Sequence, residues 1–306
     1  MNVAPLIRAA TPERPGPGPM PVAALRALDI EVGRRLSGIL AGDYRSSHYG
    51  DGIELAQVRP YEAGDDPRRI EWNVTARTGE PHVRVLLAER VLVTWLVLDA
   101  SPSMQFGTAD RRKADVADGV AIAVGHVATR RGNRLGVTTF GAGRPITLAP
   151  HQGRAGLIGL LAALQQEPER ERVGATSLGE ALRRTAAIAR QRGLVVVVSD
   201  FRGPADWRRP LLQLMNRHEV LAVEIRDPRE QELPNVGELW LVDPETGRQL
   251  RVNTRSARLR ERFASAAAEE RRGVARTLAQ LAVPHAVLST RGDWLRTLAV
   301  FLGARR

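Results

Sequence analysis

The stretch Val91–Met104 reads VLVTWLVLDASPSM and decides the fold. Its first eight residues are apolar or β-branched. Such a run is too short to cross a membrane and is typical of a strand buried on both faces of a parallel sheet. The run ends at Asp99, and Ser101 and Ser103 follow at two-residue spacing. These side chains can converge at the carboxyl end of the strand, so the stretch predicts a site for a hard cation.

Two downstream motifs extend this pattern. Thr176 lies in the loop Gly174–Gly179, and Asp200 ends a second apolar run that reads LVVVVSD. An Asp-x-Ser-x-Ser motif after a strand, then a loop threonine, then a second strand-end aspartate resembles the metal-ion-dependent adhesion site of von Willebrand factor A (vWA) domains. The resemblance implies five ligands for Mg²⁺, with Mn²⁺ as an alternative ion: Asp99, Ser101, Ser103, Thr176 and Asp200.

Length and composition indicate a soluble globular protein. The chain has 306 residues, 43% of them hydrophobic, and no cysteine. No apolar run approaches the ~20 residues of a membrane span, and the first residues lack the pattern of a secretory signal, so we expect a cytoplasmic protein. The net charge of +11 is carried almost wholly by arginines that lie beside acidic residues. This scatter is typical of a solvated surface, and it disfavours a nucleic-acid partner.

The chain divides into three parts by composition. Residues 1–20 are rich in proline and glycine and predict a disordered tail. Residues 21–90 predict an N-terminal helix followed by an extended segment. Residues 91–306 alternate strand and helix patterns, with a hairpin insertion near 239–252. This alternation predicts an α/β fold with a doubly wound, mostly parallel sheet of the vWA or Rossmann-like type.

Two local expectations concern the edges of this fold. Arg134–Phe140 and Pro145–Leu148 predict short strands around a glycine turn, which would form a small antiparallel edge of the sheet. Helical periodicity that begins at Ser256 predicts a helix that breaks at Gly273, because glycine is a poor helix former.

A second resemblance lies ahead of the sheet. Residues 64–72 read GDDPRRIEW and follow the segment Tyr49–Glu54. This unusual string resembles a widespread bacterial family of unknown function that joins it to a vWA-like domain. Genes of that family commonly lie beside those of MoxR-type AAA+ ATPases. The resemblance implies that the chain is an adaptor or partner of such an ATPase in a chaperone-like complex, and that the metal ion takes an acidic residue of the partner protein.

The acidic residues of this string have two interpretations. Asp65, Asp66 and Glu71 could form a second acid or metal site, or they could belong to a turn. Glycine and proline bracket the two aspartates, as in a tight turn. We therefore predict a turn whose carboxylates pair with Arg68, Arg69 or Arg77.

An enzyme is the competing class of function. A phosphohydrolase that forms an aspartyl-phosphate would need a general acid two residues after Asp99, and Ser101 stands there. Ser177 follows no strand and is better explained as a helix cap than as a hydrolase nucleophile. Lys113 is preceded by arginines rather than by the glycine of a P-loop, and the six histidines show no paired metal spacing. The sequence predicts a binding module and not an enzyme, with a metal-dependent phosphohydrolase as the alternative.

Overall fold

The computed structural model describes residues 13–21, 26, 54–87, 92–130, 133–141, 145–164, 177–242 and 248–303. The chain forms two compact units, one of residues 37–91 and one of residues 1–36 together with 92–306. The predicted N-terminal helix and the start of the proline-rich tail lie almost entirely outside the described residues. None of the helices in the described ranges is long and apolar enough to cross a membrane.

The smaller unit contains a two-stranded sheet and one short helix. Its elements are β1 (Glu54–Pro60), α1 (Trp72–Thr78) and β2 (His82–Leu87). The two strands pair antiparallel, from Glu54 opposite Leu87 to Pro60 opposite His82. Gly79 ends α1 in the left-handed conformation (φ 77°), which a glycine adopts without strain.

The acidic turn of this unit forms as predicted, and two of its ion pairs involve arginines that were not predicted. The carboxylate of Asp65 accepts two hydrogen bonds from the guanidinium of Arg59, at 2.7 and 2.8 Å. These bonds lower the pKa of Asp65 below its usual value. Glu71 pairs with Arg84 at 2.8 Å. Both arginines lie in the strands that flank the turn. The expectation from the sequence named Arg68, Arg69 or Arg77. It missed these two partners because the pairing of the strands brings them close to the carboxylates.

The larger unit is built on a six-stranded sheet. Its elements in chain order are β3 (Val93–Asp99), α2 (Lys113–Arg130), β4 (Arg134–Phe140), β5 (Thr147–Gln152), α3 (Gly153–Leu164), α4 (Leu178–Ile188), β6 (Gly193–Ser199), α5 (Arg208–Met215), β7 (Glu219–Arg226), β8 (Glu238–Val242), β9 (Gln249–Asn253), α6 (Ala257–Gln280), β10 (His285–Ser289) and α7 (Trp294–Gly303). The strand order is β10-β7-β6-β3-β4-β5, and β8 pairs with β9 alone. All neighbours in the large sheet are parallel except β4 and β5, which form the expected antiparallel edge.

The two central strands, β3 and β6, are buried along their whole length. Their runs of valine and leucine are explained by helices on both faces, because no position of either strand reaches water. Helices α2, α3 and α7 cover one face, and α4, α5 and α6 cover the other. This arrangement confirms the predicted fold class, an α/β fold with a doubly wound, mostly parallel sheet.

Part of the proline-rich segment is attached to this unit. The buried guanidinium of Arg111 donates to the carbonyl oxygen of Gly16 at 2.7 Å, and the indole N–H of Trp294 donates to the carbonyl oxygen of Pro17 at 2.9 Å. Residues 13–21 therefore differ from the disorder that their composition predicts. They have little to bury, but their backbone carbonyls serve as acceptors for two buried donors.

Two glycines give a matched test of the packing. A Cβ at Gly193 would fall on the carbonyl oxygen of Val93 in the neighbouring strand, so Gly193→Ala should lower the free energy of unfolding by about 2 kcal/mol or more. Gly273 lies within the continuous helix α6, which shows that the predicted break is wrong. A Cβ there meets open space, so Gly273→Ala should stabilise by about 0.5–1 kcal/mol. Urea unfolding of both variants measures the difference, and equal effects would contradict this account.

Candidate metal-binding site

The candidate site lies where the strand order reverses. From β3 the chain continues to β4 on one side and later returns to β6 on the other side of β3. The crevice beside the carboxyl ends of β3 and β6 is therefore the switch point, where open α/β sheets bind ligands. Asp99 is the last residue of β3, and Asp200 directly follows β6.

Four of the five predicted ligands come together here. The hydroxyls of Ser101 and Ser103 are 3.0 Å apart, and Ser103 Oγ donates to Asp200 Oδ2 at 2.9 Å. The backbone N–H of Ser101 donates to Asp99 Oδ1 at 2.9 Å. All four side chains are buried. The fifth predicted ligand, Thr176, lies outside the described residues.

The carboxylate of Asp99 is strongly perturbed. Burial raises the pKa of Asp99 to about 7, and the negative charge of Asp200 contributes to the rise. Hydrogen bonds from Ser101 and from Ser199 Oγ, which donates to Asp99 Oδ2 at 2.5 Å, oppose the shift only in part. A buried carboxylate whose charge is disfavoured creates a place where a cation is stabilising.

Ser199 was not predicted as a site residue. It ends β6 and links the two strand ends, because its hydroxyl donates to Asp99 and accepts the backbone N–H of Phe201 at 2.9 Å. Phe201 has φ 55°, a left-handed conformation that is unfavourable for a bulky residue. The bond to Ser199 and an edge-on contact with Trp207, with ring centroids 5.5 Å apart, hold this turn in place.

Gly141 shapes the opposite side of the site. It follows β4 with φ 85°. A Cβ at this position would lie 2.7 Å from the backbone N of Ser101 and 2.9 Å from Asp99 Oδ1. The position therefore needs glycine for its conformation and for the close approach of the loop that carries the serines. From the sequence, Gly141 was interpreted only as a turn residue.

A lysine also contacts the site, and sequence reasoning gave it no role. Lys113 is the first residue of α2, and its side chain is completely buried. Its Nζ donates to Asp200 Oδ2 at 2.6 Å and to Glu230 Oε1 at 2.6 Å. The sequence does contain a feature that could have singled out this residue, because Lys113 is the only lysine among 45 lysine and arginine residues.

Beside the carboxylates a cavity of about 300 Å³ opens to the surface. Its lining includes Asp99 and Ser101 and the aromatic side chains of Phe140, Phe201 and Trp207. The cavity therefore combines polar and aromatic lining groups. A cavity of this kind can admit a side chain from another protein.

The rim of the cavity includes the start of α4. Ser177 caps this helix by accepting the backbone N–H of Glu180 at 3.2 Å, as the sequence predicted. Its hydroxyl in turn donates to Asp206 Oδ2 at 2.5 Å, and Asp206 Oδ1 accepts the N–H of Gly179 at 3.2 Å. The Ser177 hydroxyl therefore both accepts a backbone N–H as the helix cap and donates to Asp206.

The oxygen donors suit a small hard cation. Mg²⁺ takes about six oxygen ligands, commonly one or two carboxylates with water, and two carboxylates and two hydroxyls meet here. In the described part of the chain, no group of three or more acidic or histidine side chains is arranged to hold a metal. The fit therefore depends on neutral hydroxyls beside the two carboxylates, and each hydroxyl adds an oxygen ligand without adding negative charge.

The sheet and the residues at its switch point define an α/β protein of the vWA-like class. The chain belongs to the family described as "Protein of unknown function DUF58", whose profile matches residues 57–273. It is similar to the uncharacterized protein Rv1480 of Mycobacterium tuberculosis, with 42% identity over 94% of this chain and 90% of that protein.

Solved structures of two proteins are similar to this fold at low sequence identity. BatB from Bacteroides thetaiotaomicron is 13% identical over 70% of this chain and 98% of that chain, with a TM-score of 0.44. The VWA domain of SpRpn10 is 14% identical over 69% of this chain and 94% of that chain, with a TM-score of 0.37.

Proposed function

We propose that this chain is a Mg²⁺-dependent protein-binding module that takes a carboxylate from a partner protein. The ligands of the ion would be Asp99, Ser101, Ser103, Thr176 and Asp200. The observation that carries the proposal is the convergence of two buried carboxylates and two serine hydroxyls at the switch point of the sheet, where Asp99 and Ser101 line an open cavity.

Each part of the site has a role in this proposal. Bound Mg²⁺ would supply a positive charge with a free coordination position, which a glutamate or aspartate of the partner can fill. Ser199 holds Asp99 in position through its hydroxyl, and Gly141 keeps the approach to Ser101 open. Phe201 and Trp207 exclude water from one side of the cavity, which would strengthen the bond between the ion and the incoming carboxylate.

The partner that we propose is a MoxR-type AAA+ ATPase, for which the chain would act as an adaptor. The support for this partner is the family resemblance in the segment of residues 49–77. The net charge of +11 would also favour an acidic partner, because long-range attraction speeds encounter.

Binding of the chain to a MoxR-type ATPase, measured by surface plasmon resonance, tests the proposal. Removing Mg²⁺ with EDTA, or replacing Ser101 and Ser103 together by alanine, should speed dissociation by about tenfold or more, because the coordinate bond is lost. Added salt should instead slow association, because it screens the charges that steer the approach. Ser265→Ala, on an exposed position of α6, is the matched control and should change neither rate.

Two outcomes would contradict the proposal. The first is equal affinity in Mg²⁺ and EDTA for both the wild type and the double variant. The second is Mg²⁺-dependent hydrolysis of an aryl phosphate that is lost in both Asp99→Asn and Asp200→Asn. That second result would make the chain a phosphohydrolase.

A further inference from the structure

The charge of the candidate site is partly balanced by the protein itself. Lys113 Nζ is 2.6 Å from Asp200 Oδ2, which is the same oxygen that accepts the hydroxyl of Ser103. The lysine side chain has 0% exposure. One carboxylate oxygen is therefore shared between a predicted metal ligand and an internal ammonium group.

We infer that Lys113 is a tethered counter-ion of the metal site, which keeps the metal-free site stable and lowers its affinity for divalent cations. This inference rests on the proposed function, since it concerns how strongly the same site binds its ion. A fixed positive charge beside Asp200 repels an incoming cation and competes for the same oxygen. It also compensates the buried carboxylates when no metal is bound.

The second partner of Lys113 keeps it in place. Glu230 Oε1 accepts the ammonium at 2.6 Å, while Glu230 Oε2 accepts the backbone N–H of Asp227 at 3.2 Å. Arg202 also pairs with Glu230 Oε1, at 3.0 Å. Both oxygens of Glu230 are thus engaged by groups that fix its orientation. The ammonium cannot move away from the site without breaking its ion pair with Glu230, so its charge stays next to Asp200.

The choice of lysine at this position agrees with such a role. Every other basic residue of the chain except the histidines is arginine. Arginine carries a planar, forked group that suits bidentate pairing, whereas the lysine ammonium is a compact point charge. The position is completely buried between two carboxylates from different loops, and the compact ammonium pairs with one oxygen of each.

The experiment compares Lys113→Met with the wild type, with Arg226→Met as the matched control. Arg226 is paired with the buried Glu224, which is not a predicted ligand, so the control removes a partly buried ion pair whose carboxylate does not belong to the metal site. Isothermal titration with Mn²⁺ and thermal unfolding in EDTA are measured for all three proteins. Lys113→Met should bind Mn²⁺ at least about tenfold more tightly and unfold at a lower temperature in EDTA than the wild type. Arg226→Met should also unfold earlier, with unchanged Mn²⁺ affinity.

The outcomes separate this inference from the proposed function. If Lys113→Met binds Mn²⁺ and the wild type does not, the result would refute a native metal site and support the counter-ion role of Lys113. Equal or weaker Mn²⁺ affinity in Lys113→Met than in the wild type would overturn the counter-ion role and leave the proposed function standing. If neither protein binds Mn²⁺, both the counter-ion role and the proposed function would be overturned.

A measurement on the wild type covers the case in which Lys113→Met does not fold. Protein labelled with [¹⁵N]lysine gives a single side-chain ammonium signal in an NMR spectrum, because the chain has one lysine. Saturating Mg²⁺ should shift this signal with the same midpoint as the calorimetric titration. A signal that stays unchanged while Mg²⁺ binds would overturn the inference.

Discussion

Replacing Asp99 by asparagine should weaken Mg²⁺ and Mn²⁺ binding by about 100-fold or more, since the loss of residues that only support metal ligands already costs 10–100-fold. The asparagine keeps the volume of the side chain, and its oxygen can still accept the N–H of Ser101. The fold should therefore persist. Isothermal titration calorimetry measures the loss. Unchanged metal affinity in Asp99→Asn would rule out the site.

The same variant should be more stable than the wild type when no metal is present. The pKa of Asp99 is about 7 in the folded protein, far above its ordinary value of 3.8, so between these two values the folded state binds more protons than the unfolded state. The stability of the metal-free wild type therefore falls as pH rises from about 4 to about 7. Asparagine does not titrate. In EDTA at pH 8 the free energy of unfolding of the variant should exceed that of the wild type by about 2 kcal/mol. This difference should be smaller at pH 5.

Asp118 in α2 provides the matched control for this prediction. Burial raises the pKa of Asp118 to about 7, with a contribution from the negative charge of Asp115. The stability advantage of Asp118→Asn over the wild type should grow as pH rises, as it does for Asp99→Asn. Its Mn²⁺ affinity should be unchanged, because Asp118 is not among the predicted ligands. Loss of metal binding in both variants would show that the effect of Asp99→Asn is indirect.

Replacing Asp227 by alanine should lower the free energy of unfolding by about 3–5 kcal/mol, which is the typical cost of breaking a buried, charged hydrogen-bond network. Asp227 follows β7 and is completely buried. Its carboxylate accepts the backbone N–H of Thr108 at 2.8 Å, the N–H of Arg229 at 2.9 Å and the hydroxyl of Thr290 at 2.7 Å. It therefore joins three loops at the carboxyl edge of the sheet, and its loss leaves several buried donors unpaired.

Urea unfolding of Asp227→Ala beside Thr290→Val tests this prediction. The threonine variant removes one donor and keeps the carboxylate, so it should cost only about 1 kcal/mol. A loss of stability in Asp227→Ala no larger than in Thr290→Val would contradict the network.

The sequence predicts the sheet and the side chains that meet at its carboxyl edge because each of them has a local signature. An apolar run predicts a buried strand, and the residue that ends it lies at the carboxyl edge without any further knowledge of the fold. Asp99 and Asp200 are found in this way. The serines follow the first strand closely enough that their spacing alone predicts convergence.

The contacts that the sequence does not predict join residues distant along the chain. Lys113 meets Asp200 from 87 positions away and Glu230 from 117 positions away. No local pattern indicates which charge of one loop faces which charge of another. The ion pair of Asp65 with Arg59 spans only six positions, and it is missed because it depends on how β1 enters the turn. Gly273 was misjudged because packing along a long helix outweighs the weak propensity of one glycine.

The burial of Lys113 also determines how the chain responds to amine chemistry. Because this is the only lysine and it has 0% exposure, the folded protein presents no ε-amino group to acetylating or conjugating enzymes, or to acylating reagents. Such modification can reach the side chain only when the start of α2 opens away from the sheet. The rate at which Lys113 is acylated would therefore report the opening of this region directly, without interference from any other lysine.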